Sequence, residues 1–199
     1  FNFKDTITYI FDKLKTNDGY HKLGREYRLF LPLYNTISHL EIGVPDSTLF
    51  QPLPKMREKP IVVYGTSIAQ GACASRPAMA WTNIISRKFD RPVINLAFSG
   101  NGQLEKELIN FINEIEAKVY VLDCLPNMTG ARFDSTELRK RIIESVATIR
   151  QKHPNTPILL TDHAGYTEGY LMPERQKLFE EANKNLAIAF AQLQKEDRK

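Results

Sequence analysis

The chain alternates short apolar runs with longer segments of helical spacing. The apolar runs lie at 61–64, 92–96, 119–122 and 157–160, and each has the length of a strand buried on both faces. Between the runs, apolar residues recur every three or four positions, as at Leu104, Leu108 and Ile112. This repeated strand–helix order predicts an α/β fold, with a parallel sheet covered by helices on both faces.

Prolines and caps indicate where the helices begin. Pro77 begins a predicted helix over 77–89, and Asp134 with Glu137 forms a capping-box-like start for the helix before the fourth strand. Pro173 begins the last predicted helix. Its expected inner face consists of Leu178, Phe179, Ala182, Leu186, Ala189, Phe190 and Leu193.

Residues 1–58 follow a different pattern. Partial alternation predicts strands at 27–33 and 40–44, whereas residues 5–15 fit either a helix or a strand. The prolines between 51 and 60 are typical of a linker. We therefore divide the chain into part of a small β-rich domain with its linker (1–58) and an α/β domain (59–199).

Composition and charge exclude several classes of protein. The chain is 42% hydrophobic and 25% charged, with a net charge of +4, which excludes disordered and collagen-like proteins. No apolar run approaches the length of a membrane span, and two cysteines cannot form a disulfide framework. No Cys/His spacing resembles a metal site, and the basic cluster at 139–141 fits a solvated helix face better than a nucleic-acid interface. We therefore expect no metal, no cofactor and no nucleic-acid partner.

Candidate chemistry follows the first three strands. Because ligands bind at the carboxyl ends of parallel strands, residues directly after each run are candidate site residues. Ser67 is a candidate nucleophile, or a serine that caps a helix. Gly100 can present a backbone N–H to an oxyanion and Asn127 a side-chain N–H, although each is also a common turn residue. Phosphate-binding glycine motifs are absent, so a flavodoxin-like nucleotide-binding protein is a distant alternative.

Taken in order, these segments resemble the SGNH hydrolases, also called GDSL-like lipases or acylhydrolases. The closest wording is that of a subgroup with PIVVYGTSIAQGACASRP, INLAFSGNGQLE and VLDCLPNM, preceded by a segment like YRLFLPLYNTISHLEIGVP from a small β-rich domain. The resemblance implies a flavodoxin-like three-layer α/β/α fold and a carboxylic ester hydrolase. It also implies that Ser67 is the nucleophile and that Gly100 and Asn127 belong to the oxyanion hole. Thr66 departs from the family, which usually has Asp there.

The family's general base comes from an Asp-x-x-His block near the C-terminus, and residues 1–199 contain none at that place. By resemblance, we expect that block, a fifth strand and a final helix beyond residue 199, so that the chain as given hydrolyses esters poorly. His163, after the fourth run, is a candidate substrate contact or a plain loop histidine, and a poor candidate for the base. Arg76 is a candidate contact for an anionic or sugar substrate, or a member of a structural ion pair.

Other properties stay open or follow only from the resemblance. Cys73 and Cys124 could form a disulfide or remain as two buried thiols. The resemblance implies a bacterial protein of the periplasm, cell envelope or exterior, acting on a small-molecule or glycan ester, with short acyl groups expected. The alternative function is a non-catalytic module that binds carbohydrates or esters. The oligomeric state is not indicated.

Overall fold

The computed structural model describes residues 8–12 and 26–196. The chain divides into two compact units, Phe1–Leu31 and Pro32–Lys199. In the first unit, the described residues 8–12 and 26–31 form neither helix nor strand, and Arg28 pairs with Glu26. All regular structure in the described part of the chain belongs to the second unit.

The second unit is built on a parallel four-stranded sheet of order β2-β1-β3-β4. The strands are β1 (Ile61–Gly65), β2 (Val93–Ala97), β3 (Val119–Asp123) and β4 (Ile158–Leu160). The α/β fold and the four predicted strands are confirmed, with ends that differ by one residue. The central position of β1 explains why four of its five residues are buried.

In the described residues, five α-helices connect and cover the strands. They are α1 (Ser67–Gln70), α2 (Trp81–Phe89), α3 (Lys106–Ile112), α4 (Ser135–Lys152) and α5 (Pro173–Glu196). Asp134 caps α4, because its carboxylate accepts the N–H groups of Thr136 and Glu137 at 2.9 and 2.8 Å. The predicted start of α4 is therefore confirmed.

The hydrophobic core lies on both faces of the sheet. On one face, Tyr64, Tyr120 and Leu122 are buried in a cluster with side chains of α3, α4 and α5. On the other, Val63 and Val121 pack with Ala69 of α1 in a smaller cluster bordered by Trp81. Two-sided burial of this kind is why the strands appear in the sequence as nearly continuous apolar runs.

Two helix predictions need correction. The predicted helix over 77–89 is a 3-10 turn, Pro77–Met79, followed by α2, because Ala80 adopts an extended ψ of 138° that separates the two. On α5, Leu178 and Phe190 are 38% and 47% exposed, so they do not belong to its inner face. Burial instead centres on Ala182, Leu186, Ala189 and Leu193.

The strands predicted at 27–33 and 40–44 are wrong for this structure. No residue between 26 and 60 is in a strand, and Leu40, Ile42 and Val44 are exposed. A strand is stable only beside a hydrogen-bonding partner, and the described residues place none next to either segment. The described residues of the predicted β-rich domain (1–58) therefore contain no strand. Residues 1–7 and 13–25 of that segment lie outside the described residues.

No helix in the described ranges is both long and apolar enough to cross a membrane. Within the same ranges, His, Cys, Asp and Glu form no group of three or more that could hold a metal ion.

Candidate active site

Ser67 lies at the point where β1 turns into α1. Gly65 makes this turn possible, since a Cβ at that position would lie 2.6 Å from the carbonyl oxygen of Asp123. Thr66 is the N-cap of α1, and its hydroxyl accepts the N–H of Ile68 at 3.4 Å. Ser67 is therefore the first helical residue, half-buried, and the interpretation of Ser67 as the cap is wrong.

Gly100 lies in the loop that follows β2. Phe98 donates its N–H to the carbonyl of Gly65 at 2.9 Å, and the N–H of Asn101 returns to the carbonyl of Phe98 at 3.1 Å. Gly100 is exposed, with a φ of +73°, and no heavy atom outside residues 99–101 lies within 4 Å of the position that a Cβ would take there. A positive φ at the third residue of such a turn favours glycine. The loop therefore turns beside Gly65 and leaves the backbone of Gly100 accessible.

Asn127 ends a 3-10 turn, Leu125–Asn127, directly after β3. Its Nδ2 donates a hydrogen bond to the carbonyl oxygen of Asn101, in the loop that carries Gly100. A carboxamide nitrogen has two N–H donors, so this bond orients the amide and leaves one donor for a ligand. The loops after β2 and β3 are thus joined by the bond from Asn127 to Asn101, the residue that follows Gly100.

The register of the strands explains why these loops lie close together. Gly65 lies opposite Ala97 on one side and Asp123 on the other, so β1, β2 and β3 end at the same level. Gly102 packs against this level, since a Cβ there would lie 2.2 Å from the carbonyl oxygen of Gly65. The structure therefore brings together the segments that contain Ser67, Gly100 and Asn127.

His163 follows β4 and is 3% exposed. Its ring stacks on Phe179 at 5.5 Å between centroids and meets Tyr166 edge-on at 4.6 Å. Its Nδ1 accepts the N–H of Gly165 at 2.9 Å, and the Asn183 amide bonds the N–H and carbonyl of His163 at 2.7 and 3.0 Å. His163 is thus buried in a cluster of aromatic side chains. Its contact with a substrate stays a prediction.

The buried Nε2 of His163 has no hydrogen-bond partner among the described residues. Because Nδ1 is an acceptor, the neutral ring carries its proton on Nε2. Burial lowers the pKa of His163, and the negative charge of Asp123 offsets this only in part. Burial likewise raises the pKa of Asp123, against a hydrogen bond of 2.8 Å from the Thr161 hydroxyl.

The depressed pKa of His163 predicts a pH dependence of stability. The unfolded chain takes up a proton on this residue near the ordinary histidine pKa of about 6.5, whereas the folded chain does so only at lower pH. The free energy of unfolding should therefore fall as pH decreases below that value. The pKa of Asp123 is raised in the folded chain, so protonation of this carboxylate at more acidic pH increases the free energy of unfolding. Urea unfolding between pH 7.5 and 5.5 measures the first effect.

The matched variant is His163→Asn, which keeps an acceptor for the Gly165 N–H and removes the titrating ring. Its unfolding free energy should change less with pH than that of the wild type. An equal slope in the two proteins would contradict the assignment to His163.

Arg76 is exposed and precedes the Pro77–Met79 turn. Within the described residues its side chain forms no ion pair, so the structural ion-pair interpretation finds no support there. Its contact with a substrate stays a prediction.

The two cysteines are not bonded to each other. Cys73 is exposed, with a φ of +63°, whereas Cys124 is buried and its Sγ lies 3.8 Å from the carbonyl oxygen of Tyr64. The disulfide is therefore absent, and of the two expected buried thiols only Cys124 is buried.

Three residues near the site, Gln70, Glu105 and Asp123, were not predicted from the sequence. Gln70 bonds the loop before Gly100, and Glu105 accepts the Tyr64 hydroxyl and the N–H of Gln103, which fixes the far end of that loop. The local signal was weak: Gln70 lies about one helical turn after Ser67, and only the fold shows what its amide reaches.

Two family models match consecutive parts of the chain. The model of the GDSL-like lipase/acylhydrolase family matches residues 58–199, which is most of the sequence. The chain belongs to the GDSL-like lipase/acylhydrolase family. A second model, describing the N-terminus of SGNH-hydrolase-type esterases, matches residues 2–50. No curated protein shows significant sequence similarity to the chain.

Solved structures share the fold of the chain. A protein from Bacteroides ovatus classed as a GDSL-like lipase is 37% identical with a TM-score of 0.65, over 70% of this chain and 40% of that one. The salicylyl-acyltransferase SsfX3 of a tetracycline biosynthetic pathway is 19% identical with a TM-score of 0.61, over 72% and 41%. A family 2 carbohydrate esterase from Corynascus thermopiles (Myceliophthora fergusii) is 12% identical with a TM-score of 0.57, over 74% and 57%.

The last two similarities show the fold alone. The chain aligns with 40–57% of the length of these three structures.

Proposed function

We propose that the complete protein is a serine esterase that cleaves carboxylic esters, with short acyl groups such as acetyl, on carbohydrates among other alcohols, as the expected substrates. The observation that carries this proposal is that hydrogen bonds connect the segments following β1, β2 and β3 at the carboxyl edge of the sheet. Asn127 is bonded to the carbonyl of Asn101, and Phe98 to the carbonyl of Gly65. Family membership supports the choice of ester chemistry.

In the proposed reaction, a general base removes the Ser67 hydroxyl proton as Oγ attacks the ester carbonyl carbon. The negative charge that develops on the carbonyl oxygen is held by the N–H groups of Ser67 and Gly100 and by the Asn127 amide. Collapse of this intermediate expels the alcohol with a proton from the base and leaves an acyl-Ser67. Water then releases the acid and restores the serine.

We assign the base neither to His163 nor to His153. His163 is packed between aromatic rings, and His153 lies before β4, at the opposite edge of the sheet from Ser67, where its Nε2 is 2.9 Å from the carbonyl oxygen of Asn113. Tests of turnover should therefore use the complete gene product. The family's Asp-x-x-His block is the candidate source of the base.

Hydrolysis of p-nitrophenyl acetate and butyrate and release of acetate from acetylated sugars test the proposed function. A carbohydrate esterase shares the fold, which makes acetylated sugars a rational first choice. Steady hydrolysis supports the esterase. Binding of acetylated sugars without any turnover would support the alternative, a non-catalytic binding module.

Asn127→Ala should lower kcat by about 100- to 1000-fold and leave KM nearly unchanged, because an oxyanion donor acts mainly in the transition state. Steady-state kinetics on p-nitrophenyl acetate measure both constants. Asn110→Ala is the matched control, since Asn110 is exposed on α3. If Asn127→Ala retained the kcat of this control, Asn127 would not be an oxyanion donor.

A further inference from the structure

Gln70, the last residue of α1, connects the nucleophile helix to two other segments at once. Its Oε1 accepts the N–H of Ser99 at 2.8 Å, and its Nε2 donates to the carbonyl oxygen of Leu33 at 2.9 Å. The side chain is half-buried. A carboxamide accepts one backbone hydrogen bond through its oxygen and donates another through its nitrogen, so this bridge uses both ends of the Gln70 amide.

The Leu33 end of this bridge is itself fixed on α1. A Cβ on Gly71 would lie 2.7 Å from Leu33 Cδ1, so the leucine side chain packs directly on the glycine that ends the helix. The hydroxyl of Tyr34 lies 3.4 Å from the carbonyl oxygen of Ser67. The segment at 33–34 therefore contacts the nucleophile helix at both of its ends.

The Ser99 end of the bridge controls the turn that contains Gly100. Phe98 to Asn101 form a four-residue turn closed by the hydrogen bond of 3.1 Å, with Ser99 and Gly100 in its centre. The peptide between the two central residues is the one that rotates when such turns change type. That peptide carries the N–H of Gly100, and no heavy atom lies close enough to a Cβ of Gly100 to hold it by packing.

We infer that Gln70 is a positioning residue for the oxyanion hole: by bonding Ser99 and Leu33, it fixes the direction of the Gly100 N–H relative to Ser67. This inference rests on the proposed function. It makes the segment at 33–34, outside the helices and strands, part of the support of the site. Asn127 holds the other side of the turn through Asn101, so Gly100 is fixed from both neighbours.

Hydrogen exchange of the Ser99 amide tests the structural half of the inference without any turnover. Gln70→Met has a side chain of similar length without either hydrogen bond, and should exchange the Ser99 amide at least about tenfold faster than wild type. Gln70→Glu retains an acceptor for Ser99 and should restore most of the protection. Gln151→Met is the matched control, because Gln151 is exposed at the end of α4.

Kinetics on p-nitrophenyl acetate with the complete gene product test the catalytic half. Gln70→Met should lower kcat by about 10- to 100-fold with KM changed by less than about twofold, because a displaced donor costs transition-state stabilisation more than substrate binding. Thermal melting of each variant verifies that it is folded.

The outcomes separate the inference from the proposed function. Unchanged Ser99 exchange, unchanged kcat, or a rise in KM alone in Gln70→Met would overturn the positioning role, while Ser67-dependent hydrolysis by the wild type would leave the esterase intact. A wild type that hydrolyses no ester would overturn the proposed function and the catalytic half of the inference. Faster Ser99 exchange in Gln70→Met would, even then, support the structural half.

Discussion

Ser67→Ala should reduce ester hydrolysis by the complete gene product by at least about 10⁴-fold, since removal of a nucleophilic serine leaves only binding and oxyanion stabilisation. The hydroxyl is replaced by hydrogen at the first residue of α1, and the cap of that helix is Thr66, which is untouched. The loss should therefore appear in kcat with no loss of stability. Stopped or continuous assays with p-nitrophenyl acetate and a thermal melt measure the two quantities.

Ser75→Ala is the control for this variant, because Ser75 is exposed in the segment that follows α1. It should retain the activity of the wild type. If Ser67→Ala also retained that activity, Ser67 would not be the nucleophile, and a search for another would begin at the same sheet edge.

Gly102→Ala should lower the free energy of unfolding by more than about 3 kcal/mol. Two costs combine: a φ of +74°, which alanine rarely adopts, and a Cβ that would lie 2.2 Å from the carbonyl oxygen of Gly65. The contact is with backbone at the end of a central strand, so it cannot be relieved by rotation of a side chain. Urea unfolding followed by circular dichroism measures the effect.

Gly100→Ala separates these two costs. Gly100 has nearly the same φ, +73°, but nothing lies within 4 Å of its Cβ position, so only conformational strain of about 1–2 kcal/mol is expected. An equal loss in both variants would mean that the close approach of Gly102 to Gly65 contributes nothing.

The sheet was predictable because its signal is local and repeated. The apolar runs at 61–64 and 119–122 match β1 and β3 to within one residue, since strands buried on both faces need little besides apolar residues. The start of α4 was predictable for a similar reason, because Asp134 bonds N–H groups only two and three residues away. Both patterns act between residues that are close together in the sequence.

Other predictions failed where the outcome depends on distant partners. The apolar residues at 40, 42 and 44 alternate as in a strand, but a strand also needs a neighbouring edge, which the local pattern cannot supply. On α5, Phe190 has the right helical spacing for the inner face and is 47% exposed, because burial depends on what lies opposite. Helical spacing places the apolar side chains on one face of α5, and the packing of neighbouring elements decides which of them are buried.

In the candidate site, too, some features could be predicted from the sequence and others could not. Ser67, Gly100 and Asn127 follow three strands in order, and parallel strands bring their carboxyl ends to one edge, so their proximity could be predicted from the sequence. The bond from Gln70 to Leu33 spans 37 residues, and the bond from Asn127 to Asn101 spans 26. Such contacts leave no pattern in the segments that make them.

The common level at which β1, β2 and β3 end restricts how the chain can change in evolution. One residue inserted within any of these strands would advance the following loop by about 3.3 Å and turn the alternate side chains to the opposite face. Extra residues in the loops that enter the strands, such as the one before Val93 or the one before Val119, leave the level of Gly65, Ala97 and Asp123 unchanged. Insertions and deletions can therefore accumulate at one edge of the sheet, while the lengths of three strands stay fixed to serve the other.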